Sequence, residues 1–297
     1  SGFKAVVLWV PEPRRALANS LVMSLGAVGL LFSTAPMELA VQYTGWRTVF
    51  IGLAAITFAV ALLIFLLVPE RTPTATGDSL GQQIAAIGSI LGDRAFWRLA
   101  PLLGATAGTH IAIQTLWAGP WFHDVAGLDR MATANHLFIM AAAFFVGILV
   151  SGALTDWFVR RGVSELDVML GFLGVFLTSQ LLIILDVKSM RLVAWIAFGM
   201  SGQVAILAYP WLSKHFGAKR SGRANTAMNL IIFGSAFLVQ SAIGAIIDAF
   251  PRSPSGGFGV EAYQAGFGAF WAIELLGLLW YLSGRHLMRQ QDGHAGS

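Results

Sequence analysis

From Thr48 to Val68 the chain runs without one charged side chain, and comparable apolar stretches return along its length. A membrane-spanning helix needs about 20 largely apolar residues, because each residue rises about 1.5 Å through a hydrocarbon core about 30 Å thick. Reading charges and Pro/Gly punctuation as boundaries gives eight such segments, at residues 16–41, 46–68, 96–121, 131–158, 166–185, 192–211, 223–249 and 263–286. Strand-like alternation is absent, and frequent Gly and Ala suit helices that pack closely in lipid. Composition agrees: 56% of the residues are hydrophobic and 11% charged, where soluble domains carry roughly 25% charged residues. The expected class is an all-α polytopic membrane protein built of helical bundles.

Charge gives the segments an orientation. If successive loops alternate sides, Arg47, Arg130, Lys188, Arg191 and Arg252 fall on one side and all the other Lys and Arg residues on the opposite one. Basic loops are retained in the cytoplasm, so the segment before the first helix and the C-terminal tail are both expected there. The net charge of +4 comes from basic residues scattered singly and in pairs between apolar stretches, which fits membrane-flanking loops and gives no nucleic-acid surface. With no cysteine, disulfides, thiolate metal sites and Cys nucleophiles are excluded.

One connection is longer and polar. Residues 69–79 form a linker rich in Thr, Pro and charge, and Leu80, Ile84, Ile87 and Leu91 come after it at helical spacing, which predicts a short amphipathic helix on the membrane surface. A weak internal repeat accompanies it. Arg15-Ala-Leu-Ala-Asn19 echoes Gly222-Arg-Ala-Asn225, and Gly45-Trp-Arg-Thr-Val-Phe50 echoes Ala262-Tyr-Gln-Ala-Gly-Phe267 at nearly the same offset. Parallel repeats of six helices would give this pattern. The second repeat is then complete and the first retains only its last two helices, so the chain is expected to be truncated at its start. The expected organisation is a remnant of the first bundle at 1–70, a linker at 71–95, a six-helix bundle at 96–288 and a tail at 289–297.

The stretch Gly152-Ala-Leu-Thr-Asp156-Trp-Phe-Val-Arg160-Arg161-Gly162 resembles the GxLxDxxxRRG loop between helices 8 and 9 of the major facilitator superfamily. Gly45-Trp-Arg47 with Phe50, opening helix 6, and the basic linker after it resemble the same family. The resemblance implies that the first segment is helix 5. It also implies a secondary transporter in which two bundles rock about a central cavity lined by helices 1, 4, 7 and 10. A glycine and proline pattern frequent in helix 5 of the family's antiporters is not matched by Gly26 to Pro36, so drug and proton antiport finds no support there.

Helix 7 places Thr106, His110, Ile113 and Trp117 along one stripe, with Thr109 and Gln114 on its flanks. Polar groups at mid-membrane are costly and usually face a cavity, so Thr106, His110, Gln114 and Trp117 are substrate-binding candidates, joined by Gln203 in helix 10. His110 is also a candidate proton carrier, against the alternative of a structural histidine bonded to a neighbouring helix. Asp156, Arg160, Arg161 and Gly152 are gating candidates, because a carboxylate there can meet a helix N-terminus of the opposite bundle in one state and leave it in another. Glu274 lies deep in helix 12, where pairing within the bundle is the stronger reading. Glu38 and Asp248 sit toward helix ends.

No HExxH or phosphate-cradling Gly-Lys loop is present, so enzymatic activity, a cofactor and a metal are not expected. The acidic residues lie singly and form no cluster that marks a cation site. The function read from the sequence is a monomeric secondary active transporter of the bacterial inner membrane, moving a small organic solute with a proton as candidate coupling ion. A non-transporting receptor or scaffold on the same fold is the alternative.

Overall fold

The computed structural model describes residues 26, 28–67, 87–253 and 256–285, without the side chains of 218 and 219. The chain divides into two compact units, Ser1–Gly77 and Asp78–Ser297. The described part of the first holds a helical stretch at 28–32, then α1 (Ala35–Thr44) and α2 (Trp46–Leu67). The predicted segment 16–41 lies mostly outside the described residues, and its described end differs from expectation. The chain turns at Ser33 and Thr34, whose hydroxyls donate to Leu30 O (2.7 Å) and Leu31 O (2.6 Å), and α1 restarts with Pro36 in its first turn. Proline suits that position because its missing N–H would have had no helical partner. No residue of α2 is buried within the unit. The charge-free run thus presents apolar surface on all sides, as a helix bathed by lipid or by other helices must.

The second unit begins with a helical turn at 87–91 and then α3 (Arg94–Ala112), which passes through a π-helical stretch, Ile113–Trp117, into α4 (Ala118–Asp124). Three further helices come next: α5 (Arg130–Val159), α6 (Glu165–Ile184) and α7 (Arg191–Ser201). A 3-10 stretch, Val204–Ala208, leads into α8 (Tyr209–Ile247), and α9 (Val260–Ser283) closes the described unit. Asp93, Asp129 and Ser164 start α3, α5 and α6 by accepting from the N–H of Phe96, Ala132 and Asp167 at 2.8, 2.7 and 3.2 Å. Each satisfies a donor that the first helical turn would otherwise leave open.

Six helices among the described residues are long and apolar enough to cross a membrane: Trp46–Leu67, Arg130–Val159, Glu165–Ile184, Lys188–Gly217, Arg220–Ile247 and Val260–Ser283. The rod from α3 through α4 occupies the predicted segment 96–121. Two departures from the sequence expectation concern segment 192–211 and the loop after it. Regular helix ends at Ser201, and no loop separates this span from the next: helix runs on through α8, broken once at Gly217 (φ 69°). Only glycine takes that left-handed backbone without strain. Of the predicted amphipathic linker helix, only 87–91 falls within the described residues, and these are helical.

The interior is packed by aromatic rings, with Trp121, Trp195, Phe96, Phe122, Phe176, Phe198 and Phe267 all buried, while Leu230, Phe233, Phe237 and Leu238 of α8 and Leu276 and Leu279 of α9 face outward. Close approach is made by glycine. A Cβ on Gly147 of α5 would overlap the carbonyl of Met200, and one on Gly199 of α7 would overlap that of Met140, so the two backbones touch at both points. Van der Waals contact of this kind drives helix association where no hydrophobic effect is available.

Candidate functional site

Two polar regions stand inside the apolar second unit. The first is interior. His110, near the end of α3, is 3% exposed and lies among Phe144 of α5, Phe176 of α6 and Phe198 of α7, at centroid distances of 5.2, 5.9 and 5.1 Å. Its Nε2 abuts Gly202, where α7 has lost regular helical form, and makes no hydrogen bond. Gln203 is next in sequence. It is also buried, with Nε2 donating to Met200 O at 2.6 Å and Oε1 unpartnered. Thr106 is buried and returns its hydroxyl to Leu102 O of its own helix at 2.9 Å. Thr106, His110 and Gln203 are thus interior groups of the unit, and His110 meets the Gly202–Gln203 irregularity.

Deeper between α3, α6 and α9 lies a carboxylate. Glu274 is fully buried and its Oε2 accepts from Gln180 Nε2 at 2.6 Å. Thr109 stands within interaction range of the same carboxylate without reaching hydrogen-bond geometry. The pairing of Glu274 within its own bundle, expected from sequence, has Gln180 as its partner.

The second polar region is on the surface of the π-helical stretch and α8. Gln240 of α8 donates to Thr115 Oγ1 at 2.9 Å, and its backbone carbonyl accepts from Trp117 Nε1 at 3.3 Å. Tyr209 donates to Asn229 Oδ1, and Asn225 Nδ2 contacts Ser213 Oγ at 3.3 Å. Thr115 and Asn229 are exposed, Gln114, Trp117, Gln240 and Tyr209 partly so. Of the predicted substrate-binding residues, Gln114 and Trp117 belong to this region. Thr115, Gln240 and Asn229 were missed, although Asn229 and Gln240, amides in a largely apolar span, were signals in the sequence. Thr115 and Trp117 sit in the π-helical stretch, and π-helical turns inside α-helices recur at functional sites.

The residues of the family-like loop are exposed. The Asp156 side chain makes no hydrogen bond or ion pair among the described residues, Gly152 has open space around it, and the Arg161 guanidinium lies over Trp157, 3.3 Å from its ring centroid. Gly162 adopts φ 84° and turns the chain from α5 toward Ser164 and α6.

At the opposite end of α5, past the apolar stretch of the preceding rod, Asp124 joins three partners. Its Oδ2 accepts from Tyr263 OH (2.7 Å) and Phe258 N–H (3.0 Å), and its Oδ1 pairs with His123 Nδ1 at 2.8 Å. Burial works to raise the Asp124 carboxyl, but these donors outweigh it and hold the group below the usual carboxylate range. The arrangement ties the end of α4 to the loop before α9. No group of three or more His, Cys, Asp or Glu residues among the described residues is placed to hold a metal.

Comparisons with known proteins agree with the fold. The chain is 24% identical over 315 residues to the "Uncharacterized transporter YybO" of Bacillus subtilis, covering 94% of this chain and 67% of that protein. It is 28% identical over 183 residues to a D-galactonate transporter of Escherichia coli O6:H1, covering 54% of this chain and 43% of the relative. In three dimensions it resembles a bacterial homologue of the human lysosomal transporter Spinster, solved inward-facing and unoccupied, with a TM-score of 0.65 at 14% identity over 96% of this chain and 74% of that one. The family model of the Major Facilitator Superfamily matches residues 1–241. A helical membrane architecture, the Asp156 to Gly162 loop and a family match over most of the length converge: this chain belongs to the Major Facilitator Superfamily of transporters.

Proposed function

We propose that the protein moves a small organic solute across the bacterial inner membrane by alternating access, with a proton as candidate coupling ion and the C-terminus in the cytoplasm. One observation carries the choice of site. Polar side chains are exposed where α3 turns π-helical and on α8 beside it, where Gln240 donates to Thr115. Irregular backbone and exposed amides are tolerated at membrane depth only inside protein or along a wet cavity. The solute-facing group is therefore Gln114, Thr115 and Trp117 with Gln240, and Tyr209 with Asn229 extends it along α8. His110 and Gln203 support it from behind, at the irregular part of α7.

These groups are neutral hydrogen-bond donors and acceptors, which suits a hydroxyl-rich solute. The D-galactonate transporter among the relatives makes sugar acids the first probes to use. Asp156, Arg160, Arg161 and Gly152 form the gate on the face that carries most of the basic residues. The test is uptake of radiolabelled D-galactonate and neutral sugars into proteoliposomes. Gln240→Ala is expected to lower uptake about tenfold, the loss of a polar contact of about 1.4 kcal/mol. Uptake unchanged in Gln240→Ala and Thr115→Val would remove the site, and solute binding without any flux would turn the reading to a receptor.

A further inference from the structure

We infer that Glu274, Gln180 and Thr109 form a buried binding site for a monovalent cation, either a proton or Na+, in the interior of the second unit. The inference rests on the reading of the chain as a transporter and names where its coupling ion binds. Glu274 is 0% exposed in the middle of a spanning helix. An ionised carboxylate in such a place needs a compensating positive charge, because removing it from water costs far more than one neutral hydrogen bond returns.

No such charge is supplied by the neighbouring helices. From α6 the group that meets the carboxylate is Gln180, a neutral amide, at 2.6 Å. From α3 it is Thr109, and the next residue, His110, is turned into its cage of Phe144, Phe176 and Phe198. From α8, the third helix packed on α9, the buried residues are apolar, including Ile232, Val239 and Ile243. The site thus has a negative group and no cationic side chain against it.

What the helices do supply is oxygen. Glu274 Oε1, Gln180 Oε1 and Thr109 Oγ1 are all buried and all without a hydrogen-bond partner. Left open, the second carboxylate oxygen and the two oxygens from its neighbours would each destabilise the fold, by about 1–3 kcal/mol. A carboxylate, an amide oxygen and a hydroxyl are the ligands that hard cations take. A proton on the carboxyl would serve the same need by giving it a donor. The far side of Gln180 meets only apolar walls, from Ile113, Ile183, Ile184, Phe198 and Phe267, and offers its amide oxygen no other polar partner.

Infrared difference spectroscopy on the purified full chain in lipid nanodiscs reads the carboxyl directly. If the ion is a proton, a pH step from about 5 to about 9 in potassium buffer removes a protonated-acid band that is absent from Glu274→Gln. If it is Na+, adding NaCl, but not KCl or choline chloride, shifts a carboxylate band that Glu274→Gln lacks, and Thr109→Val weakens the Na+ midpoint about tenfold. Should Glu274→Gln fail to fold, Thr109→Val still decides: an unchanged midpoint for both ions overturns the site. Identical wild-type and Glu274→Gln spectra in both titrations also overturn it. Solute uptake with a silent Glu274 would sink this inference and leave the transporter reading intact. A cation response with no uptake of any solute would do the reverse.

Discussion

The imidazole of His110 occupies the space in which a Cβ on Gly202 would stand. Three aromatic rings leave the histidine nowhere to retreat, so the two positions are coupled through volume. Gly202→Ala is expected to destabilise the protein by about 1–3 kcal/mol, the usual cost of overpacking a core. Adding His110→Ala should recover part of that loss, since the double variant removes the clash. Thermal unfolding of the four proteins in one detergent measures the coupling, and strictly additive losses would show that the contact is not tight.

Asp124 predicts a pH dependence. Its folded-state carboxyl lies below its ordinary value, so it contributes stability that is fully present above the unfolded value of about 4 and is lost as pH falls through the folded one. Asp124→Asn should lower the melting temperature near neutrality, and the gap from wild type should close as the pH falls below about 4. A gap that persists unchanged in acid would mean that the carboxylate charge is not what binds Tyr263 and the Phe258 N–H.

Gly152 has nothing within contact distance and the chain contains no cysteine, so Gly152→Cys is a clean reporter. A membrane-impermeant maleimide should label it rapidly in inside-out vesicles and slowly in right-side-out ones, as the concentration of basic residues on that face requires. Asp156→Asn in the same background should change the labelling rate several-fold if Asp156 closes the gate. Faster labelling in right-side-out vesicles would reverse the proposed orientation.

The spans were legible because lipid imposes a crude rule. A stretch such as 46–68 has to be a helix, whatever its neighbours do, since its backbone can find partners only within itself. Hidden from the sequence were the places where helices stop being regular. Nothing in Ile113 to Trp117 marks a π-helical turn, and regular helix is lost after Ser201 where His110 of another helix stands against Gly202. Likewise, the residues between Trp211 and Arg223 are polar and basic enough to look like a loop, yet the chain stays helical there except at Gly217.

The candidate site was legible by residue type and not by direction. Helical spacing put Thr106, His110 and Trp117 on one stripe, but only Trp117 reaches the surface polar region, because the π-helical stretch rotates the later part of the rod relative to α3. The oxygens around Glu274 were out of reach for a different reason. They come from a threonine and a glutamine on separate helices, residues that carry no charge to betray a site.

Joining two membrane spans through one left-handed glycine leaves no slack between them. A loop would let neighbouring rods slide independently along the membrane normal, whereas a lone elbow allows them to bend but not to drift apart. A shift along the membrane normal of the rod bearing Gln203 and Tyr209 is therefore passed to the rod bearing Asn229 and Gln240, while the angle between the two stays free to change.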